Sequence, residues 1–246
     1  MRSVDLNADV GEGAGQDEAI FPLITSANIA CGGHAGDAAT MADAVDQALR
    51  CGVAIGAHPG LEDRADFGRT ERAIAPGEAQ DLVVRQVRAL QAVAAIRGAR
   101  VTHVKPHGAL YNMAARDPVL AGAIAAGVAA VDPALILYGL AGSVLVTAAR
   151  VVGLRTASEV FADRHYQAGG ALVPRSRPDA LITVEAEAVA QVLRMVRSGE
   201  VVAVTGEIIP VRADTICLHG DSPHAVAFAR RLRATLRDEN CPVSGL

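Results

Sequence analysis

The chain has 246 residues, within the range of one α/β or barrel domain; with glycine counted and tyrosine left out, about 60% of it is apolar, against a usual ~45–50%. Together with only 20% charged residues this excludes a disordered chain, and with 3% aromatics and no Trp the core has to be built from Ala, Val, Leu and Ile. A net charge of −4, with 23 basic residues scattered among 27 acidic ones and no aromatic platform beside the arginines of 230–237, excludes nucleic acid as a partner.

Strand-like runs alternate with helical ones along the whole chain, the pattern of parallel α/β units, and no linker divides residues 1–246 into more than one domain. Residues 4–10 alternate Val4, Leu6 and Ala8 against Asp5, Asn7 and Asp9, a period of two. Further strand runs lie at 27–31, 53–57, 101–104, 134–138, 154–160, 201–204 and 215–218. Between them, Asp37 reads as the N-cap of a helix that carries Met41, Ala44, Val45, Ala48 and Leu49 on one stripe and stops at Gly52. A second helix runs over 76–97, and others fit 118–130, 142–152, 185–197 and 223–237; the stretches 60–74 and 161–180 are the least regular. From 119 to 149 the only charge is Asp132, a length that suits a bilayer span of ~20 residues, but Asp132-Pro133 splits it and its Ala and Gly suit a buried helix–strand–helix. The first residues carry no apolar signal segment, and Cys31, Cys51, Cys217 and Cys241 form no Cys-x-x-Cys pair, so a cytoplasmic protein without a membrane span is expected. Seven or eight parallel strands make either an open doubly wound sheet or a closed barrel, and periodicity fits both.

The polar residues are more telling. Asn7, Asp9 and Glu12 end the first run, His34 follows the second, His58 ends the third, and His103, Lys105 and His107 end the fourth. Glu159, Asp163, Arg164 and Tyr166 follow the sixth, and His219 and Asp221 the last. Strand C-termini of parallel α/β folds share one face, where substrates bind, and six of the seven His fall in these segments. Asp9, His34, His58 and His107 are a divalent-metal ligand set or, without metal, acid–base groups titrating near neutrality. Lys105 and Arg164 suit anion clamps, or else surface pairs with Glu12 and Asp163. Single motifs add little. The glycines after Val10 break the dinucleotide fingerprint at Gln16, there is no P-loop, Cys31-x-x-His34 has no second thiolate pair, and Gly142-Ser143 lacks the nucleophile elbow.

Taken together, the motifs are specific. Asp5-Leu6-Asn7-Ala8-Asp9-Val10-Gly11-Glu12-Gly13, Ser26-Ala27-Asn28-Ile29-Ala30-Cys31-Gly32-Gly33-His34-Ala35-Gly36-Asp37, Gly56-Ala57-His58-Pro59 and His103-Val104-Lys105-Pro106-His107-Gly108-Ala109-Leu110-Tyr111-Asn112 resemble the LamB/YcsF family, the A component of ATP-dependent 5-oxoprolinase. Glu159 to Arg164 with Tyr166, Leu172-Val173-Pro174-Arg175 and Cys217-Leu218-His219-Gly220-Asp221 extend the resemblance, which covers about residues 3–235. Two departures stand out: Gly33 replaces a larger, often aromatic residue, and Gly60-Leu61-Glu62 replaces a Ser-Phe-Pro type of stretch.

The resemblance implies a distorted seven-stranded β/α barrel, similar to the glycoside hydrolase and polysaccharide deacetylase barrels. It also implies conversion of 5-oxo-L-proline to L-glutamate with ATP, in company with 5-oxoprolinase subunits B and C. On that reading His58 or His107, oriented by Asp9 or Glu12, activates water, and Lys105 stabilises the developing anion. Arg164 clamps the carboxylate, and Asn7, Asn28, His34, Glu159, Asp163, Tyr166, His219 and Asp221 hold the ring or phosphate. A Lys105→Met change is then expected to abolish glutamate formation and leave the melting temperature nearly unchanged. Two other classes compete: a metal-dependent deacetylase or amidohydrolase acting alone, and a non-catalytic substrate-binding subunit.

Overall fold

The structure, a computed structural model, describes residues 3–13, 15–218 and 225–246. Its strands are β1 (Asp5–Val10), β2 (Ser26–Ala30), β3 (Ala54–His58), β4 (His103–Val104), β5 (Ile136–Leu140), β6 (Arg155–Phe161), β7 (Glu200–Val202), β8 (Ile208–Pro210) and β9 (Thr215–Leu218). The helices are α1 (Asp17–Ile20), α2 (Ala38–Cys51), α3 (Pro76–Ile96), α4 (Gly108–Ala114), α5 (Pro118–Val131), α6 (Val144–Val151), α7 (Glu185–Ser198) and α8 (Ala225–Asp238).

Seven strands close a parallel barrel in the order β1-β2-β3-β4-β5-β6-β9, with β9 pairing to both β6 and β1. The barrel is uneven, since β4 contributes only 2 residues. The run at 201–204 is not a barrel strand. It belongs to a two-stranded antiparallel ribbon of β7 and β8, because the turn at Gly206 (φ 93°) reverses the chain at once and brings Ala203 N–H onto Glu207 O at 2.9 Å. Helix α2 begins at Asp37, whose side chain accepts from the Ala39 and Thr40 N–H groups, and ends at a left-handed Gly52. Two short helices, α1 and α4, have too few residues for a readable stripe and are absent from the sequence pattern. Among the described residues no single helix is long and apolar enough to cross a membrane, and α4 and α5 meet at 116°.

The alternation on β1 decides what the barrel contains. Leu6, Ala8 and Val10 lie in the apolar core between strands and helices. Asp5, Asn7 and Asp9 face the barrel interior, where their bonds cross from strand to strand. Asp5 accepts from the Thr25, Ser26 and Thr215 hydroxyls at 2.6–2.7 Å and from Tyr138 of β5 at 3.3 Å. One layer up, Asn7 donates to Thr215 Oγ1 at 2.7 Å and Glu159 Oε1 at 3.1 Å. Asn28 donates to Asn7 Oδ1 at 2.7 Å, and the buried His103 ring donates through Nε2 to Asn28 Oδ1 at 3.0 Å. His103 occupies space opened by Gly56 of β3, where a Cβ would stand 2.0 Å from Nε2. A polar column therefore rises through the barrel to the C-terminal ends of the strands.

Candidate active site

Lys105 heads that column. Its ammonium is 2% exposed and lies 2.9 Å from Asp9 Oδ1, 2.9 Å from Glu159 Oε1, 3.3 Å from Asn7 Oδ1 and 3.1 Å from Cys217 Sγ. Burial alone would depress its pKa, but Asp9, Cys217 and Glu159 hold it well above the usual lysine value. Glu159 is buried too, and its other oxygen accepts from the Tyr111 hydroxyl of α4 at 2.7 Å.

Beside this pair three imidazoles surround Glu12. Oε1 of Glu12 lies 2.9 Å from His34 Nε2, 3.3 Å from His107 Nδ1 and 3.7 Å from His58 Nε2. His58 Nε2 also approaches Asp9 Oδ2 at 3.3 Å. The rings of His34 and His107 stack at 3.6 Å, 3° from parallel. Backbone carbonyls only accept, so they assign the tautomers. His58 donates from Nδ1 to Lys105 O at 2.7 Å, and His107 from Nε2 to Phe67 O at 2.9 Å. The remaining nitrogens, His58 Nε2 and His107 Nδ1, face each other at 2.9 Å as two lone pairs, an arrangement that needs a proton or a cation between them. Burial lowers the pKa of His58, yet Asp9 and Glu12 raise it above the ordinary value, whereas burial and the two neighbouring rings hold His107 well below it. The proton of the pair therefore belongs to His58.

The same donors fit a divalent cation. Glu12, His34, His58 and His107 each offer one ligand atom, all within 4.8 Å of one another. A tetrahedral zinc-class ion with bonds of ~2.0–2.1 Å places its ligands about 3.3 Å apart, against 2.9–3.7 Å for the separations above and up to 4.8 Å across the whole set. His58 and His107 already have their outer N–H groups on carbonyls, the support a metal-bound imidazole needs; His34 Nδ1 has no hydrogen-bond partner. The carboxylate in the group is Glu12, where the sequence points to Asp9. Asp9 Oδ1 is committed to Lys105 and to Asn28, and of the three rings its Oδ2 approaches that of His58, at 3.3 Å, whereas Glu12 Oε1 lies among all three.

Above the cluster opens a cavity of about 810 Å³ at the strand C-termini, floored by Asp9, Glu12, His58, Lys105 and His107. The family model for the LamB/YcsF family matches residues 4–246. The chain belongs to the LamB/YcsF family. It is 56% identical to the A component of 5-oxoprolinase from Bordetella pertussis (strain Tohama I) over 246 residues, 98% of either chain. It superposes on the crystal structure of the lactam utilization protein from Thermus thermophilus with a TM-score of 0.92, at 46% identity, covering 99% of this chain and 100% of that one. A family 4 carbohydrate esterase from Streptomyces lividans shares the fold alone, with a TM-score of 0.51 at 14% identity over 99% of this chain and 92% of the other.

Within this family fold, the expected site residues separate into two groups. Asp9, Glu12, His58, Lys105, His107 and Arg164 line the cavity. Asn7, Asn28 and Glu159 lie beneath the floor, bonded to one another and to Lys105. His34 is stacked behind His107, and the Tyr166 hydroxyl accepts the Phe161 N–H, fully buried. Asp163 is half-buried and off the cavity wall, while Arg164 donates to the Ala180 and Val173 carbonyls. His219 and Asp221 lie outside the described residues. Tyr111, part of the motif that carries the resemblance, has no site role in the sequence reading although it lines the cavity; its position four residues after His107, one turn into a helix, is the signal that points there.

Proposed function

We propose that this chain is the A component of an ATP-dependent 5-oxoprolinase and opens the lactam of 5-oxo-L-proline to give L-glutamate. One observation carries the reading: a paired carboxylate–imidazole cluster on the floor of a cavity, in a chain that matches the A component of a 5-oxoprolinase over nearly its full length. A five-membered lactam is a resonance-stabilised amide that recloses readily, so its opening has to be driven. Phosphorylation of the lactam oxygen by ATP makes the ring carbon electrophilic and supplies a leaving group. We assign that step to the partner subunits B and C. The relative is named as one subunit of its enzyme, which supports a complex, and the four free cysteines suit the cytoplasm.

The roles within this chain follow from protonation. Glu12 takes the proton of the water that attacks the phosphorylated ring carbon; His58, which holds the proton of the imidazole pair, delivers it to the ring nitrogen as the C–N bond breaks, and a second water hydrolyses the acyl phosphate so formed to glutamate and inorganic phosphate. His58 as donor reverses the base role that position alone suggests for it, because Asp9 and Glu12 stabilise its cationic form. Lys105 fixes Asp9 against His58, and Arg164 on the cavity wall takes the substrate carboxylate. In place of the proton of the imidazole pair, a divalent cation held by Glu12, His34, His58 and His107 would supply Lewis-acid polarisation at the same floor.

Mixing this chain with subunits B and C and omitting each component in turn tests the reading. Glutamate should form from 5-oxoproline and ATP only in the complete mixture. Turnover that survives omission of this chain would reject it, and hydrolysis by this chain alone without ATP would place it with the amidohydrolases.

A further inference from the structure

The two departures noted in the sequence meet in space, around a residue of α3 that does not line the 810 Å³ cavity above the cluster. Gln86 is buried, and its side-chain amide clasps one peptide: Oε1 accepts the Gly60 N–H at 3.0 Å and Nε2 donates to Gly60 O at 2.8 Å. Only a glycine at 33 admits that amide. A Cβ there would stand 2.4 Å from Gln86 Nε2 and 2.6 Å from Gly60 O, and the second contact is backbone that cannot swing away. Gly60 in turn is the wall behind the stacked imidazoles, since a Cβ on it would lie 2.6 Å from His34 Nδ1 and 3.1 Å from His107 Cβ. His34 Nδ1 has no hydrogen-bond partner, so apart from its bond to Glu12 the ring is oriented by packing.

We propose that Gln86 is a positioning residue of the floor cluster: through the Gly60 backbone it fixes the His34 ring, and through His34 the Glu12 carboxylate, with Gly33 leaving room for its amide. The inference rests on the lactam-opening reading for its kinetic consequence and on geometry alone for its structural one.

Gln86→Met keeps the volume and loses both bonds, Gln86→Glu keeps the acceptor for the Gly60 N–H, and Gly33→Ala displaces the amide with Gln86 intact. In the complete complex Gln86→Met and Gly33→Ala should lower kcat about 10- to 100-fold with KM for 5-oxoproline within about twofold, the scale of a misplaced reacting group. Gln86→Glu should recover part of that loss. In the full chain labelled with 15N-histidine, the His34 ring resonances should move in Gln86→Met while those of His103 stay. Unchanged kcat in both variants, with only a lowered Tm, would overturn the proposal and leave a purely structural clasp. If the wild-type complex opens no lactam, the functional reading fails by itself and the resonances decide: a His34 ring unmoved in Gln86→Met overturns the positioning role, and a moved one sustains it.

Discussion

His58 Nε2 and His107 Nδ1 stand 2.9 Å apart, each ring tied through its other nitrogen to a backbone carbonyl. Each ring keeps its N–H on its carbonyl, so the pair holds one proton or a cation at the cavity floor. Replacing His107 by Gln removes the second titratable ring. Glutamate formation in the complex should fall about 100- to 10,000-fold, the range for loss of an acid–base partner, with the far-UV circular dichroism unchanged. A rate within threefold of wild type would show that the imidazole pair takes no part.

Lys105 lines the cavity and is at the same time the counter-charge for Asp9 and Glu159. Lys105→Met leaves two carboxylates without it, one of them fully buried, which should cost about 3–5 kcal/mol. The melting temperature should drop by roughly 2–4 °C for each kcal/mol. Buried pairing with Asp9 and Glu159 thus makes Lys105 a stability residue, so its loss lowers the melting temperature that strand-end position alone leaves unchanged. Adding Glu159→Gln should restore part of the stability, read from urea unfolding of the single and double variants.

His103 sets an acid limit on the fold. Burial, with Lys105 and His58 nearby, pushes its pKa down to about 3. The unfolded ring titrates near ~6.5, so between these values the unfolded chain binds the extra proton. The stability this ring contributes is complete above the unfolded value and is lost as pH falls toward the folded one, at up to ~1.4 kcal/mol per pH unit. Unfolding free energies of wild type and His103→Gln, compared from pH 7 to pH 5, should diverge, with the variant losing less. Parallel curves would contradict a neutral His103 in the barrel.

Gly56 and His103 should be coupled. Gly56→Ala places a methyl on the His103 ring and should destabilise by about 3 kcal/mol, the upper range of ordinary overpacking. In the His103→Ala background the same change should cost far less, because the ring it strikes is gone. Equal costs in both backgrounds would mean that the ring does not fill that gap.

The fold was largely legible because its signals are periodic and local. The β1 alternation, the Asp37 cap and the Gly52 stop each report a repeat or a backbone angle. The run at 201–204 misled because strand propensity says nothing about partner, and a tight turn gave it a local one. In the site, residue types at strand ends indicated which groups gather at one face. They did not show which way each group points once gathered. Asn7 and Asn28 have the same character as Asp9, yet Asn7 sits two residues earlier on β1 and Asn28, level with Asp9 on β2, is consumed by bonds to Asn7, Asp9 and His103. Gln86 gave no sign, because a polar residue on a helix facing a loop looks like any solvent-facing glutamine.

The central claim is that the Glu12 cluster opens the ring after another step has activated it. Glu12→Gln, assayed in the complete complex for ADP and glutamate together, tests it most directly. ADP should still be released while glutamate falls below detection, activation surviving without ring opening. Glutamate formed at the wild-type rate by Glu12→Gln would contradict the claim.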